Sequence, residues 1–255
     1  MILQNACEVN MRSDFKEAKI SLTLIALILA VSIVFYFFVS MFTSMGYEGY
    51  RKAKDANATT TTKADRIIII DAGHGGEDPG AEANGLIEKD LNLEIALALD
   101  EMLRSCGYKT VLTRSDDRLL YNVGQENRKK HYDLRNRESI ANEYENSVFV
   151  SIHMNKFPES YCKGLQTFYS ENNELSKALA ESVQANAKNL QTDNKRSVKC
   201  GNDTIYLLER LKTPAILIEC GFLSNYQEAT MLSDSNYKKA LVLTLYCGIT
   251  EFMEN

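Results

Sequence analysis

Three histidines are present in the chain, and two of them follow apolar runs. His74 comes just after Ile67-Ile68-Ile69-Ile70-Asp71, and His153 closes Val148-Phe149-Val150-Ser151-Ile152. A third run, Pro214-Ala215-Ile216-Leu217-Ile218, ends in Glu219. Imidazole and carboxylate are donors that Zn²⁺ accepts, and a catalytic zinc typically takes three protein ligands and keeps one position open. The acids downstream of His74 that could complete the set are Glu77, Asp78, Glu82, Glu88 and Asp90. Spacing does not choose among them. Glu219 then suits a general base that takes a proton from water and passes it to a leaving amine. The reverse assignment, with Glu219 as ligand and an upstream acid as base, is also open. Either way the chemistry indicated is metal-assisted hydrolysis.

Other uses of the same residues fit less well. The loop Gly73-His74-Gly75-Gly76-Glu77-Asp78 lacks the Gly-Lys-Ser/Thr of a phosphate-binding loop and does not match dinucleotide glycine spacing. Ser151 has no Gly-x-Ser-x-Gly elbow around it, which disfavours a serine hydrolase. His131, among Arg128, Lys129 and Lys130, reads as a solvated residue of a charged loop. The net charge of −5, with no nucleic-acid-binding motif, gives no reason to expect nucleic acid as a partner.

For His74, His153 and Glu219 to meet, their strands must run parallel and end on one rim, where open α/β sheets place their ligand sites. The flanking pattern agrees. The four isoleucines from Ile67 read as a strand buried on both faces, because β-branched residues pack well there. Leu91 to Leu103 carries helical periodicity and stops at Gly107. Tyr108–Thr113 is expected as a strand, 115–132 as a surface loop, and Asp133–Tyr144 as a helix. Gly164–Tyr169 is a further strand, Glu174–Asn189 a helix, and Thr204–Leu208 a strand or a helical turn. Asn225–Leu232 and Tyr237–Met253 are expected as helices. The fold class is therefore α/β, a twisted, mostly parallel sheet with helices on both faces.

Ahead of that domain, no charge occurs between Lys19 and Glu48, and Ile20–Phe42 is almost wholly apolar. At about 1.5 Å per residue this run is long enough to cross a bilayer core of roughly 30 Å. It is too long for the apolar core of a signal peptide, and Phe42-Thr43-Ser44-Met45-Gly46 is a poor cleavage site. The expected organisation is a tail over 1–19, a single transmembrane anchor over 20–42, a flexible tether over 43–65 and a catalytic domain over 66–255. Basic residues flank the span on both sides, so the positive-inside rule does not orient it. The six cysteines show no metal spacing, and the five beyond the span read as unpaired buried thiols.

At these residues the chain resembles the zinc-dependent N-acetylmuramoyl-L-alanine amidases over about residues 66–252. The resemblance rests on Asp71-Ala72-Gly73-His74-Gly75-Gly76-x-Asp78-Pro79-Gly80-Ala81, with Ala72 where proline is commoner, and on Glu88-Lys89-Asp90-Leu91-Asn92-Leu93. It continues through Leu112-Thr113-Arg114 with Asp117, Arg137 with Ala141-Asn142, and Phe149-Val150-Ser151-Ile152-His153-x-Asn155. Pro214-Ala215-x-Leu217-x-Glu219-Cys220-Gly221-Phe222-Leu223-Ser224-Asn225 closes the set.

That resemblance implies one Zn²⁺ per chain on His74, Glu88 and His153, with Glu219 as the catalytic carboxylate. It implies peptidoglycan as substrate, hence a catalytic domain outside the cytoplasm, and leaves room for a protein activator. The segments 155–163 and 190–203 are too short for the autoinhibitory helical insertion of some division-associated members. Gly164-Leu165-Gln166-Thr167-Phe168-Tyr169 and Ile205-Tyr206-Leu207-Leu208 are similar to members acting on spore cortex, where the reaction precedes muramic-δ-lactam formation and germination. The competing readings are a vegetative wall-turnover or daughter-cell-separation amidase, a zinc carboxypeptidase on the same stem peptide, and a non-catalytic, membrane-tethered wall-binding module.

Overall fold

The computed structural model describes residues 66–254. The tail, anchor and tether expected over 1–65 lie outside the described residues, and no described helix is long and apolar enough to cross a membrane. In chain order the elements begin with β1 (Ile67–Ala72), β2 (Glu82–Ala83), β3 (Leu86–Ile87), α1 (Glu88–Ser105) and β4 (Thr110–Leu112). A 3₁₀ turn over Glu126–Arg128 leads into α2 (Lys129–Asn142), followed by β5 (Ser147–Asn155), β6 (Gln166–Tyr169) and α3 (Leu175–Leu190). The chain closes with β7 (Lys199–Cys200), α4 (Tyr206–Arg210), β8 (Ala215–Phe222), α5 (Tyr226–Ser233) and α6 (Ser235–Glu254).

The main sheet has the order β4-β1-β5-β8-β6-β7. Its first four strands are parallel, β6 runs antiparallel to β8, and β7 is parallel to β6. Side chains alternate across a strand, and the buried residues follow that alternation. Ile68, Ile70, Val148, Val150, Ile152, Ile216 and Ile218 pack beneath α1, α3 and α6. Ile69, Phe149, Ala215 and Leu217 face the other way, against α2 and α4. Helices cover both faces, as the apolar strands require.

The structure corrects several expectations. β5 runs on to Asn155 and β8 to Phe222, so His153 and Glu219 lie within strands rather than at their tips. Backbone pairing continues past both residues, with a register shift between His153 and Asn155. α1 opens at Glu88, and α2 opens at Lys129 instead of Asp133, inside the expected loop. The segment Lys129-Lys130-His131-Tyr132 has no apolar face to announce a helix, so His131 is exposed on α2 rather than in a loop. Thr204–Leu208 resolves as the turn leading into α4. The five described cysteines are free, as expected, but Cys220 alone is buried, whereas Cys106 and Cys200 are exposed.

Candidate metal centre

Each ligand candidate arrives on a different support. His74 follows β1 in the left-handed region at φ 61°, a conformation that non-glycine residues occupy only when their surroundings impose it. Glu88 is the first residue of α1, where the helix dipole favours a negative charge. His153 projects from β5. Together they form a cluster whose ligand atoms all lie within 4.8 Å of one another. Glu88 Oε1 is 2.9 Å from His153 Nδ1 and 3.3 Å from His74 Nε2, and the two imidazole rings meet edge-on at 5.0 Å.

Neighbouring groups decide which nitrogens face inward. Asp78 Oδ2 lies 2.9 Å from His74 Nδ1, and the other ring nitrogen, Nε2, is the one that faces Glu88. On the other ring, a Cβ at Gly73 would sit 2.2 Å from His153 Nε2, so that edge lies against the chain and Nδ1 is the inward one. The Glu88 carboxylate is fixed as well, accepting from the Ala81 N–H at 2.7 Å and the Met154 N–H at 3.0 Å. Burial opposes its ionisation, but hydrogen bonds from His153 and His74 outweigh that and hold its carboxyl below the usual carboxylate range.

The other acids downstream of His74 fall elsewhere. Glu77 pairs with Lys129 at 2.7 Å, Asp78 supports His74 from outside, and Glu82 and Asp90 are exposed. Glu219 stands opposite His153 in the β5–β8 register, which puts both side chains on the same face of the sheet. Its Oε2 is buried with no hydrogen-bond partner among the described residues. Burial, reinforced by the Glu88 charge and only partly offset by the histidines, pushes its carboxyl up to about 7. An orphaned carboxylate oxygen beside two imidazole nitrogens and a second carboxylate fits a divalent cation of the zinc type in the space they share.

Beneath the cluster lies a charged network that the sequence reading did not assemble. Asp71 directly follows the four isoleucines and is fully buried with them. It accepts from Arg137 Nη1 at 2.6 Å, Ser151 Oγ at 2.6 Å and Thr113 Oγ1 at 2.7 Å. Arg137 also donates to the carbonyls of Ala72 and His74, both at 2.7 Å, and to Asp133 at 2.9 Å. Arg114 donates to the carbonyls of Ala72 at 2.8 Å and of Gly73 and Lys89 at 2.9 Å. Two buried arginines thus grip the backbone on either side of His74 and just after Glu88. Burial alone would raise the Asp71 carboxyl, but Arg137, Ser151 and Thr113 hold it below its ordinary value.

This geometry coincides with a known family. A family profile described as N-acetylmuramoyl-L-alanine amidase matches residues 68–251, a span that contains every residue of the cluster. The chain belongs to that family. Among its amidase relatives is the germination-specific N-acetylmuramoyl-L-alanine amidase of Bacillus subtilis (strain 168), 35% identical over 193 residues, covering 73% of this chain and 79% of the relative. The solved CwlD amidase from Clostridioides difficile, in complex with the GerS lipoprotein, is 40% identical with a TM-score of 0.71, covering 74% of this chain and 98% of that one. The catalytic domain of the amidase CwlV from Bacillus (Paenibacillus) polymyxa var. colistinus is 31% identical with a TM-score of 0.65, at 74% and 98% coverage.

Proposed function

We propose that this amidase hydrolyses the amide between the lactyl group of N-acetylmuramic acid and L-alanine of the peptidoglycan stem, with one zinc ion held by His74 Nε2, Glu88 and His153 Nδ1. The observation that carries the reading is the convergence of these three ligand atoms within 4.8 Å, with Glu219 paired beside His153. When bound there, zinc supplies Lewis acidity toward the amide carbonyl and toward water. Glu219 moves the proton. Its unpartnered Oε2 takes one from the attacking water and delivers it to the departing nitrogen of L-alanine. Burial favours a carboxyl that takes up and gives back a proton, since it opposes the lasting negative charge on Glu219. Asp78 stands behind His74 on the Nδ1 side, leaving Nε2 toward the cluster, and the Ala81 and Met154 amides keep Glu88 oriented.

The biological setting is part of the same proposal. Similarity to a germination-specific amidase and to CwlD supports action on spore cortex, where stem-peptide removal precedes muramic-δ-lactam formation. The apolar run 20–42 supports a single-pass membrane anchor, and the substrate's location sets the catalytic domain outside the cytoplasm. That the solved CwlD is in complex with the GerS lipoprotein supports a protein partner for this chain, which could serve as its activator.

The test is the full chain, zinc-loaded, on purified peptidoglycan, with products read by mass spectrometry. Intact stem peptides bearing a free N-terminal L-alanine are expected, and Glu219→Gln should retain zinc while releasing none. Full activity of that variant would remove Glu219 from the mechanism. Release of free D-amino acids would mean a carboxypeptidase, and wall binding without product would mean a binding module. A deletion strain whose cortex keeps its muramic-δ-lactam would move the enzyme to vegetative wall turnover.

A further inference from the structure

The register of the sheet extends the site sideways. His153, Glu219 and Gln166 are successive partners across β5, β8 and β6, so their side chains project from one face. Strand spacing puts neighbours in this row about 5 Å apart. Gln166 is buried, and its Oε1 accepts from Arg196 Nη1 at 2.9 Å. The row therefore continues from imidazole to carboxylate to amide to a guanidinium.

Arg196 is braced rather than loose. Its Nε donates to the Lys163 carbonyl at 2.6 Å, and its guanidinium lies over the Phe222 ring, 4.5 Å from the centroid. Two acids lie nearby, and one of them, Glu228, also feels the Arg196 charge. Glu228 accepts the N–H groups of Gly164 at 2.9 Å and Phe222 at 2.8 Å, and Asp193 pairs with Lys163. Among the described residues no carboxylate pairs with Arg196, whose Nη2 edge makes no hydrogen bond. The residue helps wall a cavity of about 680 Å³ together with Tyr161, Lys163 and Lys195 and the acids Asp193 and Glu228.

The direction of the leaving group follows from Glu219. That carboxylate must reach the departing nitrogen, so the released peptide begins beside it and continues on the side away from the imidazoles, toward Gln166 and Arg196. A peptide advances roughly 3.3–3.6 Å per residue, which brings the second stem residue within reach of Arg196. We propose that Arg196 binds the free carboxylate of that second residue, making the cavity a subsite for the acidic stem peptide. A planar guanidinium with an open edge is suited to paired hydrogen bonds with a carboxylate, and a primary amide cannot accept both. This subsite rests on the amidase reading above.

The test uses the zinc-loaded full chain and two synthetic muramyl peptides that differ only at the second residue, a free carboxylate in one and a primary amide in the other. The expected kcat/KM ratio of acid to amide is at least tenfold, carried mainly by KM. Arg196→Gln should bring the ratio close to one, and Arg196→Lys, which keeps the charge but not the fork, should fall between. A wild-type ratio near one overturns the subsite and leaves the amidase standing. So does an Arg196→Gln variant that slows both peptides alike, since a merely structural role preserves the ratio. Cleavage of neither peptide by the wild type counts against the amidase reading and the subsite together.

Discussion

Single residues carry the chemistry here, and their neighbours decide whether they can. Gly73→Ala would drive a Cβ into the His153 ring, at 2.2 Å from Nε2, and should abolish zinc binding while leaving most of the core intact. Isothermal titration with zinc beside a circular dichroism melt separates the two effects. Arg137→Met strips a buried partner from Asp71 and Asp133 and releases the carbonyls of Ala72 and His74. Breaking a buried pair in this way costs about 3–5 kcal/mol, so the midpoint of chemical unfolding should fall sharply. The same pair sets an acid limit. The folded Asp71 carboxyl titrates below its unfolded value, so its contribution is complete above about pH 4 and is lost as the pH falls through and beneath that value. Stability measured from pH 6 down to pH 2 should drop in the wild type, and less steeply in Asp71→Asn, which starts lower. Little of this network was legible beforehand. His74, His153 and Glu219 stood out because each follows an apolar run, but Asp71, Arg114 and Arg137 looked like ordinary polar punctuation. Burial of Asp71 depends on partners 42 to 80 positions away, which no local pattern encodes.

At the level of elements, the helices α3 and α6 pack closely against each other. A Cβ at Gly248 would lie 2.6 Å from Val183 Cα, so the two backbones meet there without a spacer. Alanine normally strengthens a helix by about 1 kcal/mol over glycine. Here overpacking should reverse the sign, and Gly248→Ala should lower the melting temperature, consistent with a net cost of about 1–3 kcal/mol. Periodicity made α1, α3 and α6 readable, because each presents an apolar stripe to the isoleucine-rich strands. It missed the start of α2, whose first residues are charged or polar, and the two-residue hairpin β2–β3. That hairpin delivers the chain to the first turn of α1, where Glu88 must stand. Strand ends were also misplaced, since pairing with neighbours, rather than the last apolar residue, determines where β5 and β8 stop.

Across the whole molecule, the metal site ties β1, α1 and β5 together, so filling it should stabilise the fold. Any ligand that binds only the folded state adds about 4 kcal/mol when present at 1,000 times its Kd. Zinc should therefore raise the melting temperature, chelator should lower it to that of the metal-free protein, and His153→Ala should show neither response. Parallel architecture and the convergence on one rim were readable from the alternation of strands and helices. The antiparallel β6 was not, although it lays Gln166 beside Glu219 and so joins the catalytic rim to Arg196. The position of β8 has a further consequence. The last strand in the chain is inserted between β5 and β6, which precede it, and it alone contributes Glu219. On the assignment proposed above, a chain that ends before β8 would carry His74, Glu88 and His153 but not Glu219. A copy terminated ahead of Ala215 is therefore expected to release no stem peptide, which a stop codon placed before β8 and the product assay would check.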